Sequence, residues 1–348
     1  MNIVVLAGGT STERKVSIVS GTNVCKALRA RGHKAVLLDV FCGNAEADPD
    51  EVFTETYDVE AAERYMSSFN DKIDEIKASR SAFFGPNVVE ICSRADIVFL
   101  ALHGANGEDG RVQAAFDLLG IRYTGTDYLS SALAMDKTLT KRMFLACDVP
   151  TAKGYSLSRD EAASDDPAAR GLRYPVIVKP ACGGSSVGIT IAKDFEAYKQ
   201  SLATALELDP KAVVEEFWKG REFSVAVIEG KALPVIEIAP KQGFYDYNNK
   251  YQPGSTVETC PAQITAEQAE RMQRNAEKAM RALGITGYGR IDFIMAEDGS
   301  MIALEANTLP GMTATSLVPQ EYAALGPGHS YEDLCEHLIE VSLKKYKQ

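Results

Sequence analysis

Two amphipathic segments near the C-terminal end, residues 288–296 and 301–307, constrain the fold more than any other part of the sequence. Apolar and polar residues alternate in both segments, as they do in a half-buried β-strand. The residues between them, 297–300, are polar, include a glycine and have the composition of a hairpin loop. The sequence therefore predicts an antiparallel hairpin, and we expect Ala296 to pair with Met301.

One face of this hairpin would carry a polar cluster. In the expected register Asp292 lies opposite Glu305, and Arg290 lies opposite Asn307. Two carboxylates that face each other destabilise a sheet unless a cation lies between them. Carboxylate and amide oxygens suit Mg²⁺, so Asp292, Glu305 and Asn307 are candidate metal ligands. Arg290 would then stabilise a transferring phosphoryl group; the alternative is a solvent-exposed strand face whose charges have no function.

Length and composition predict a protein of several domains. A chain of 348 residues exceeds the usual size of one core, which favours two or three domains. The net charge of −11 argues against a generic nucleic-acid or anionic-membrane surface, so we expect neither partner. No apolar run is long enough to span a membrane, and no basic segment precedes residues 3–7, as it would in a secretion signal. The seven cysteines are scattered without a CxxC pair, which predicts a cytoplasmic protein.

Short apolar strands that alternate with helices predict an α/β or α+β architecture. The first forty residues have the pattern of one βαβ unit, with its helix from about residue 13 to 31. Helical periodicity is also present at residues 130–146 and 265–283. Residues 41–95 predict little beyond one helix near 59–79.

A lysine followed by a loop rich in glycine and serine is a candidate phosphate site. Lys179 lies at the end of a predicted strand, and the loop occupies residues 183–188. Glycines let backbone amides approach a phosphate, although such loops are more often ordinary turns. Neither a Walker A nor a GxGxxG motif occurs, so a P-loop and a dinucleotide fold are not expected. Lys137 would be a second cation for phosphate, or else a solvated helical lysine.

Taken together, these residues resemble the ATP-grasp fold and, more narrowly, the D-alanine–D-alanine ligase family. The resemblance covers nearly the whole chain and is weak only at residues 41–95 and 156–172. The segments that carry it are residues 8–17, 103–104, 107–110, 123–125, 131–137, 178–188, 215–216, 244–251, 290–292 and 305–313.

The resemblance implies a three-domain ATP-grasp fold with an N-terminal βαβ domain. The domains expected are an N-terminal α/β substrate domain at 1–125, a central ATP-grasp subdomain at 126–215 and a C-terminal subdomain at 216–348. ATP would lie between the last two, under a lid loop at 241–261. Two Mg²⁺ ions, with Mn²⁺ as an alternative, and a homodimer are also implied.

For the nucleotide, the resemblance implies phosphate contacts from two lysines and adenine and ribose contacts from the stretch that joins the two ATP-grasp subdomains. The ATP-binding residues expected are Lys137, Lys179, Ser185, Glu215, Glu216, Trp218, Glu222 and Lys250. The two Mg²⁺ ions would be held by Asp292, Glu305 and Asn307. The family often has an acidic residue where Gly183 stands, which makes the phosphate loop of this chain less charged.

For the amino acids, the resemblance implies that Glu13 takes the ammonium group of the first D-alanine, with His103 nearby. Ser316, after Gly311, would meet the carboxylate of the second D-alanine. On position alone, a strand-end histidine with a structural hydrogen bond is the favoured interpretation of His103. Glu13 is likewise explained as a helix first-turn charge.

The catalytic residues implied are Glu13, Ser185, Tyr251 and Arg290. The first three would form a hydrogen-bonded network that closes the lid loop, although Tyr251 could equally be a packing aromatic. The lid matters because the acylphosphate intermediate of such a reaction hydrolyses readily and must be shielded from water.

The activity implied is ATP-dependent joining of two D-alanine molecules for peptidoglycan precursor synthesis. A D-alanine–D-serine or D-alanine–D-lactate ligase is the alternative, although depsipeptide-forming relatives tend to lack the lysine–tyrosine pair present at 250–251. More distant alternatives are another ATP-grasp carboxylate–amine ligase and a nucleotide-binding regulatory protein without catalysis.

Overall fold

The computed structural model describes residues 1–184, 186–241 and 255–347. The predictions for Ser185, Lys250, Tyr251 and most of the 241–261 loop lie outside the described residues. Within the described part, helices and strands both contribute substantially, as an α/β or α+β chain requires.

A parallel sheet forms the N-terminal part of the molecule. Its strands are β1 (Asn2–Ala7), β2 (Lys34–Asp39) and β3 (Ile97–Leu100), in the order β2-β1-β3. Helix α1 (Arg14–Ala30) connects β1 to β2, so the βαβ unit predicted for the first forty residues is present. At Gly21 an added Cβ would lie 2.6 Å from Cβ of Ala7, and this close packing explains the glycine in mid-helix.

Residues 41–95 contain α2 (Val59–Ser67), α3 (Ile73–Ser79) and α4 (Val88–Arg94). The single helix predicted near 59–79 is therefore wrong, since it divides into α2 and α3. The intervening residues 68–72 include serine, asparagine and aspartate, whose side chains compete with helical backbone bonds.

The helix predicted at 130–146 also divides, and the break positions Lys137. After α5 (Arg111–Leu119), the chain forms α6 (Tyr128–Met135) and α7 (Lys137–Ala146). The Asp136 side chain caps α7 by accepting the N–H groups of Thr138 at 2.8 Å and Leu139 at 3.1 Å. Lys137 is consequently the first residue of a helix instead of an interior one.

An antiparallel sheet follows, in the order β4-β7-β5-β6. Its strands are β4 (Gly154–Ser158), β5 (Val176–Pro180), β6 (Thr190–Ala192) and β7 (Lys211–Glu216). Helix α8 (Phe195–Leu208) covers one face with the buried side chains of Tyr198, Leu202 and Ala205. The other face is thus available to the C-terminal sheet.

The C-terminal sheet has the order β11-β10-β8-β12-β13, with β9 paired to β8. Its strands are β8 (Arg221–Ile228), β9 (Lys231–Ala232), β10 (Ile236–Pro240), β11 (Thr256–Thr259), β12 (Tyr288–Met295) and β13 (Met301–Asn307). Helix α9 (Ala266–Leu283) packs on one face through Met272, Ala276 and Met280.

The last two helices are α10 (Leu317–Ala323) and α11 (Tyr331–Lys344). Leu338 and Ile339 of α11 belong to the same buried cluster as Ile18 and Leu28 of α1, so the end of the chain packs on its beginning. Across the described residues, no helix is both long and apolar enough to cross a membrane.

The hairpin formed by β12 and β13 has the predicted pairs at its open end. Asp292 pairs with Glu305, and Arg290 pairs with Asn307. At the turn, however, the predicted register is wrong, because Met295 and not Ala296 pairs with Met301. A β-bulge between Asp292 and Phe293 leaves Leu304 as an extra residue and offsets this shift of one position.

Candidate active site

A cavity of about 540 Å³ lies between the central and C-terminal sheets. Apolar side chains form most of its walls. Asp292 and Glu305 are paired across the hairpin, and Lys179 lines a small cleft together with Glu305; the part of the cavity that these three residues line is its polar end. Such a cavity suits a flat ring joined to an anionic group. The predicted nucleotide residues that line it are Lys179, Glu215, Glu216, Trp218 and Glu222, and its apolar lining includes Ile177, Ile191, Phe217, Ile238, Ile294 and Leu304.

Glu215 is buried between two lysines at the base of this cavity. Its Oε2 lies 2.5 Å from Nζ of Lys179, and its Oε1 lies 2.5 Å from Nζ of Lys141. Burial would raise the pKa of Glu215, but the two ammonium groups outweigh burial and hold that pKa below its ordinary value. Glu215 is therefore an anion that fixes the position of Lys179.

Lys141 is a functional candidate that the sequence prediction missed. Its Nζ also donates to the carbonyl oxygen of Ala152 at 2.6 Å, which ties α7 to the segment that leads into β4. Burial lowers the pKa of Lys141, and the charge of Glu215 opposes that effect. A sequence signal was available, because Lys141 follows Lys137 by four residues and so shares its helix face.

Lys137 lies where the phosphate loop meets the carboxylates. Its Nζ donates to the carbonyl oxygen of Gly183 at 2.6 Å and lies 3.8 Å from Oε2 of Glu305. Gly183 has φ = 128°, a backbone conformation that residues with a side chain rarely adopt. A glycine at position 183 therefore suits the conformation of this loop.

Asp292 is the most heavily hydrogen-bonded carboxylate of the hairpin. It accepts from Nε and Nη2 of Arg290, both at 2.8 Å, from Oγ of Ser224 at 2.8 Å and from Nδ2 of Asn307 at 3.1 Å. Arg290 at Asp292 and Lys137 near Glu305 supply the positive charge that the opposed carboxylates require.

The donor set at the hairpin fits a magnesium ion that also binds phosphate. In the part of the chain that the structure describes, no cluster of three Asp, Glu, His or Cys side chains could hold a metal by itself. Mg²⁺ characteristically takes one or two carboxylates and completes its shell with water and substrate phosphates. Asp292 and Glu305, with the amide of Asn307, match that incomplete set.

A second cavity, of about 140 Å³, adjoins the polar end of the first. Glu305 lines both cavities, so the two share a wall at the hairpin. The predicted residues that line the second cavity are Glu13, His103, Arg290, Glu305, Asn307, Gly311 and Ser316. Glu108, Glu258 and Thr315 line it as well, and the sequence prediction gave them no role.

The Glu13 carboxylate lies between two glycines. A Cβ added at Gly104 would lie 3.0 Å from Oε2 of Glu13, and a Cβ added at Gly184 would lie at the same distance from that atom. The next residue, Arg14, is buried and forms a salt bridge with Asp39 at 2.5 Å. This ion pair anchors the start of α1 and hence the loop that presents Glu13.

His103 contacts both the N-terminal part of the chain and the segment after β13. One ring nitrogen, Nδ1, lies 3.1 Å from the carbonyl oxygen of Leu309, and Nε2 lies 3.3 Å from Oγ of Ser20. A carbonyl can only accept, so Nδ1 carries the proton. Burial lowers the pKa of His103, which favours the neutral ring at neutral pH. The structural hydrogen bond considered from the sequence is present, and the ring also lines the second cavity.

Glu108 holds the segment after β13 against the N-terminal part of the chain. Its Oε1 accepts the N–H groups of Thr308 at 3.1 Å and Leu309 at 3.2 Å, and its Oε2 accepts that of Gly104 at 3.2 Å. Burial and the nearby charge of Glu13 raise the pKa of Glu108 to about 7. The carboxyl group thus organises backbone that lines the second cavity.

Gly311 and Ser316 are in contact at the far side of the second cavity. An added Cβ at Gly311 would lie 2.9 Å from Oγ of Ser316, so a larger residue would displace the hydroxyl group. That hydroxyl accepts the N–H of Thr313 at 2.9 Å. The arrangement holds the Ser316 side chain at the start of α10.

Comparison with known proteins gives full-length similarity to one family. Models of the D-ala D-ala ligase N-terminus and C-terminus match residues 2–126 and 144–340. A D-alanine–D-alanine ligase of Pediococcus pentosaceus is 42% identical over 356 residues, which cover 100% of this chain and 99% of that protein.

Solved structures agree with the sequence relatives. The D-alanine–D-alanine ligase from Bacillus anthracis complexed with ATP is 31% identical, with a TM-score of 0.75, and the match covers 100% of this chain and 98% of that one. The VanG D-Ala:D-Ser ligase from Enterococcus faecalis is 29% identical, also with a TM-score of 0.75, over 98% of this chain and 99% of that one.

Proposed function

This chain belongs to the D-alanine–D-alanine ligase family, and from that premise we propose that it joins two D-alanine molecules into D-alanyl-D-alanine with ATP. One observation carries the proposal: the larger cavity, which suits a nucleotide, and the smaller one share the wall that contains Glu305. A phosphoryl group at the polar end of the first cavity would thus reach a small carboxylate in the second.

The reaction has two steps. An oxygen of the first D-alanine carboxylate attacks the γ-phosphorus, the bond from that phosphorus to the bridging oxygen breaks, and ADP leaves. The amine of the second D-alanine, once deprotonated, attacks the acylphosphate carbon. The bond from that carbon to the phosphate oxygen then breaks, which yields the dipeptide and inorganic phosphate. The product is a peptidoglycan precursor.

The residues in and beside the first cavity suit the roles that a nucleotide needs. Lys179 in the cavity, and Lys137 in a small cleft that Lys179 also lines, would neutralise the phosphates. Glu216 and Trp218 would contact the adenine, and Glu222 the ribose. Glu215 lines the same cavity, and its carboxylate pairs with Lys141 and Lys179, so we propose that it also holds Lys179 in position for the phosphates.

Asp292, Glu305 and Asn307 are the residues that would hold two Mg²⁺ ions, or Mn²⁺ in their place. A metal held by these residues would supply positive charge that offsets the charge developing on the phosphoryl group. Arg290, next to Asp292, adds a fixed positive charge at the same point.

In the second cavity Glu13 binds the ammonium group of the first D-alanine, and neutral His103 lies beside it. Gly311 and Ser316 receive the carboxylate of the second D-alanine. The roles proposed for Ser185, Lys250 and Tyr251 in closing the 241–261 loop rest on the sequence resemblance. The same holds for the domain limits 1–125, 126–215 and 216–348.

We also propose a homodimer in the cytoplasm. Large apolar side chains are exposed at the end of α5 and at the start of α6, namely Leu118, Leu119, Tyr128 and Leu129. An exposed group of this kind commonly marks a protein interface. All seven cysteines are free thiols, as expected for a reducing compartment. Sedimentation of the wild type and of a Leu118→Ser/Leu129→Ser variant tests the dimer, which we expect only the wild type to form.

The activity is tested by incubating the purified protein with ATP, MgCl₂ and D-alanine. We expect ADP, phosphate and D-alanyl-D-alanine in equal amounts, and EDTA should abolish all three. Parallel reactions that add D-serine or D-lactate decide the acceptor. Absence of dipeptide with D-alanine alone, or a larger yield of D-alanyl-D-lactate at neutral pH, would contradict the proposal.

A further inference from the structure

A carboxylate that no part of the proposed mechanism uses lies beside the place proposed for the second amino acid. Glu258 is on β11, and it lines the second cavity together with Arg290, Thr315 and Ser316. Glu13, proposed to bind the first amino acid, lines the same cavity. Glu13 and Glu258 thus reach the cavity from an N-terminal and a C-terminal segment, in addition to Glu108 and Glu305.

Glu258 is held in place by a side chain of helix α10. Nε2 of Gln320 donates to Oε2 of Glu258 and also donates to the carbonyl oxygen of Thr315, the latter at 2.9 Å. Ser316, the residue before α10, follows Thr315 directly. Gln320 thus fixes the Glu258 carboxylate relative to the backbone that carries Ser316.

The charges around Glu258 are arranged to receive a zwitterion. Burial raises the pKa of Glu258 above its ordinary value, and the Gln320 hydrogen bond and the positive charge of Arg290 partly offset that rise in favour of the anion. An anion fixed near a hydroxyl group and an arginine complements a molecule with an ammonium group at one end and a carboxylate at the other. A hydroxy acid, in contrast, has no positive charge to offer to Glu258.

We propose that Glu258, positioned by Gln320, binds the ammonium group of the second D-amino acid and favours an amino acid over a hydroxy acid as acceptor. This inference rests on the proposed ligase function and assigns the acceptor side of the same site. D-alanine and D-serine both satisfy Glu258, so the residue discriminates between amino acids and D-lactate and does not discriminate between the two amino acids.

The test is the Glu258→Gln variant, whose side chain retains an oxygen that can accept from Gln320. Loss of one hydrogen bond to a charged group predicts a rise of roughly tenfold or more in KM for the second D-alanine. The KM values for ATP and for the first D-alanine should stay within twofold of the wild type. In a mixture of D-alanine and D-lactate, the fraction of depsipeptide should increase.

Glu270→Gln is the matched control, because Glu270 is exposed on α9 and pairs only with Arg274 among the described residues. It should behave as the wild type in every measurement. Gln320→Leu is a second variant that keeps the carboxylate but removes its support. Gln320→Leu should raise KM for the second D-alanine by a smaller factor than Glu258→Gln does. The double variant should show no higher KM than Glu258→Gln alone.

The inference is overturned if the wild type forms D-alanyl-D-alanine while Glu258→Gln keeps its acceptor KM and its D-lactate fraction. It is equally overturned if all Michaelis constants rise together, because Glu258 would then only support the fold. Should Glu258→Gln not fold, an unchanged acceptor KM in Gln320→Leu overturns it. A wild type that forms no dipeptide refutes the proposed function itself, which is a distinct result.

Discussion

Nζ of Lys141 lies 2.5 Å from Oε1 of Glu215, and both side chains are buried under the larger cavity. The other oxygen of Glu215 binds Lys179 at the same distance. One carboxylate is thus shared by two ammonium groups, which leaves a net positive charge next to the phosphate end. Lys141 acts through Glu215 and is a positioning residue.

Replacing Lys141 by methionine should weaken both nucleotide binding and the fold. Glu215 would then depend on Lys179 alone, which would be drawn away from the phosphates. We expect KM for ATP to rise by about tenfold and the free energy of unfolding to fall by about 1–3 kcal/mol, since a buried carboxylate loses a partner. Steady-state kinetics and urea unfolding measure the two effects.

Lys199→Met is the control for this substitution. Lys199 is exposed and pairs with Glu196 on the surface of α8, so its loss should change neither quantity measurably. Equal effects of the two substitutions would show that Lys141 has no special place in the site.

Replacing Glu305 by glutamine should remove activity without unfolding the protein. The variant loses a negative charge where the two cavities meet, so we expect kcat to fall by roughly 10²-fold or more. Circular dichroism should show a folded protein. Glu297→Gln, on the exposed turn of the same hairpin, is the control and should keep full activity. Near-normal turnover in Glu305→Gln would contradict the metal-site proposal.

Replacing Gly311 by alanine should affect the second D-alanine selectively. The new Cβ would lie 2.9 Å from Oγ of Ser316 and would force the hydroxyl group to move. We expect KM for the second D-alanine to rise by about tenfold, because Ser316 loses its position. The KM for ATP should not change. An equal rise in both constants would indicate a general disturbance of the site and not a role in acceptor binding.

Protein stability should decrease between about pH 5 and pH 8 because of Glu321. Its Oε2 accepts the N–H of Ala226 at 2.5 Å, whereas its Oε1 is buried without a hydrogen-bond partner in the described structure. Burial raises the pKa of Glu321 from 4.5 to about 8. The folded state thus holds a proton that the unfolded chain releases. The stabilising effect of this proton is complete below pH 4.5, the ordinary pKa of the group, and is lost as the pH rises through about 8, its pKa in the folded protein.

Urea unfolding of the wild type and of Glu321→Gln at pH 5 and pH 8 tests this. As the pH rises, the free energy of unfolding of the wild type should fall by at most about 1.4 kcal/mol per pH unit through this group. The free energy of unfolding of the variant should fall by less. Glu108, whose pKa is raised to about 7, contributes in the same direction and remains in the variant. Parallel pH profiles for the two proteins would show that Glu321 does not hold the proton.

Local patterns in the sequence were sufficient to predict some parts of the site. Alternation along β12 and β13 predicted which side chains share a face, and the pairing of Asp292 with Glu305 is confirmed. The register at the turn was wrong because nothing in the local pattern indicates that Leu304 is an extra residue. Composition fixes the presence of a hairpin loop but not the number of residues in it.

Other parts of the site depend on contacts between distant segments, which periodicity cannot show. Glu108 meets Thr308 and Leu309 only because the N-terminal sheet and the C-terminal hairpin pack together. Glu258 reaches the second cavity through the pairing of β11 with β10, and its support from Gln320 comes from a helix 62 residues away. The resemblance to a family gave the site its identity but assigned no role to either carboxylate.

The β-bulge at Leu304 links two properties of the enzyme that a regular strand would keep apart. In a regular strand, neighbouring residues face opposite sides, yet Leu304 and Glu305 both line the larger cavity. Leu304 belongs to the apolar wall and Glu305 to the polar end. A substitution that removed the bulge would turn one of these two side chains away from the cavity, so the apolar wall and the polar end depend on the same irregularity of the backbone.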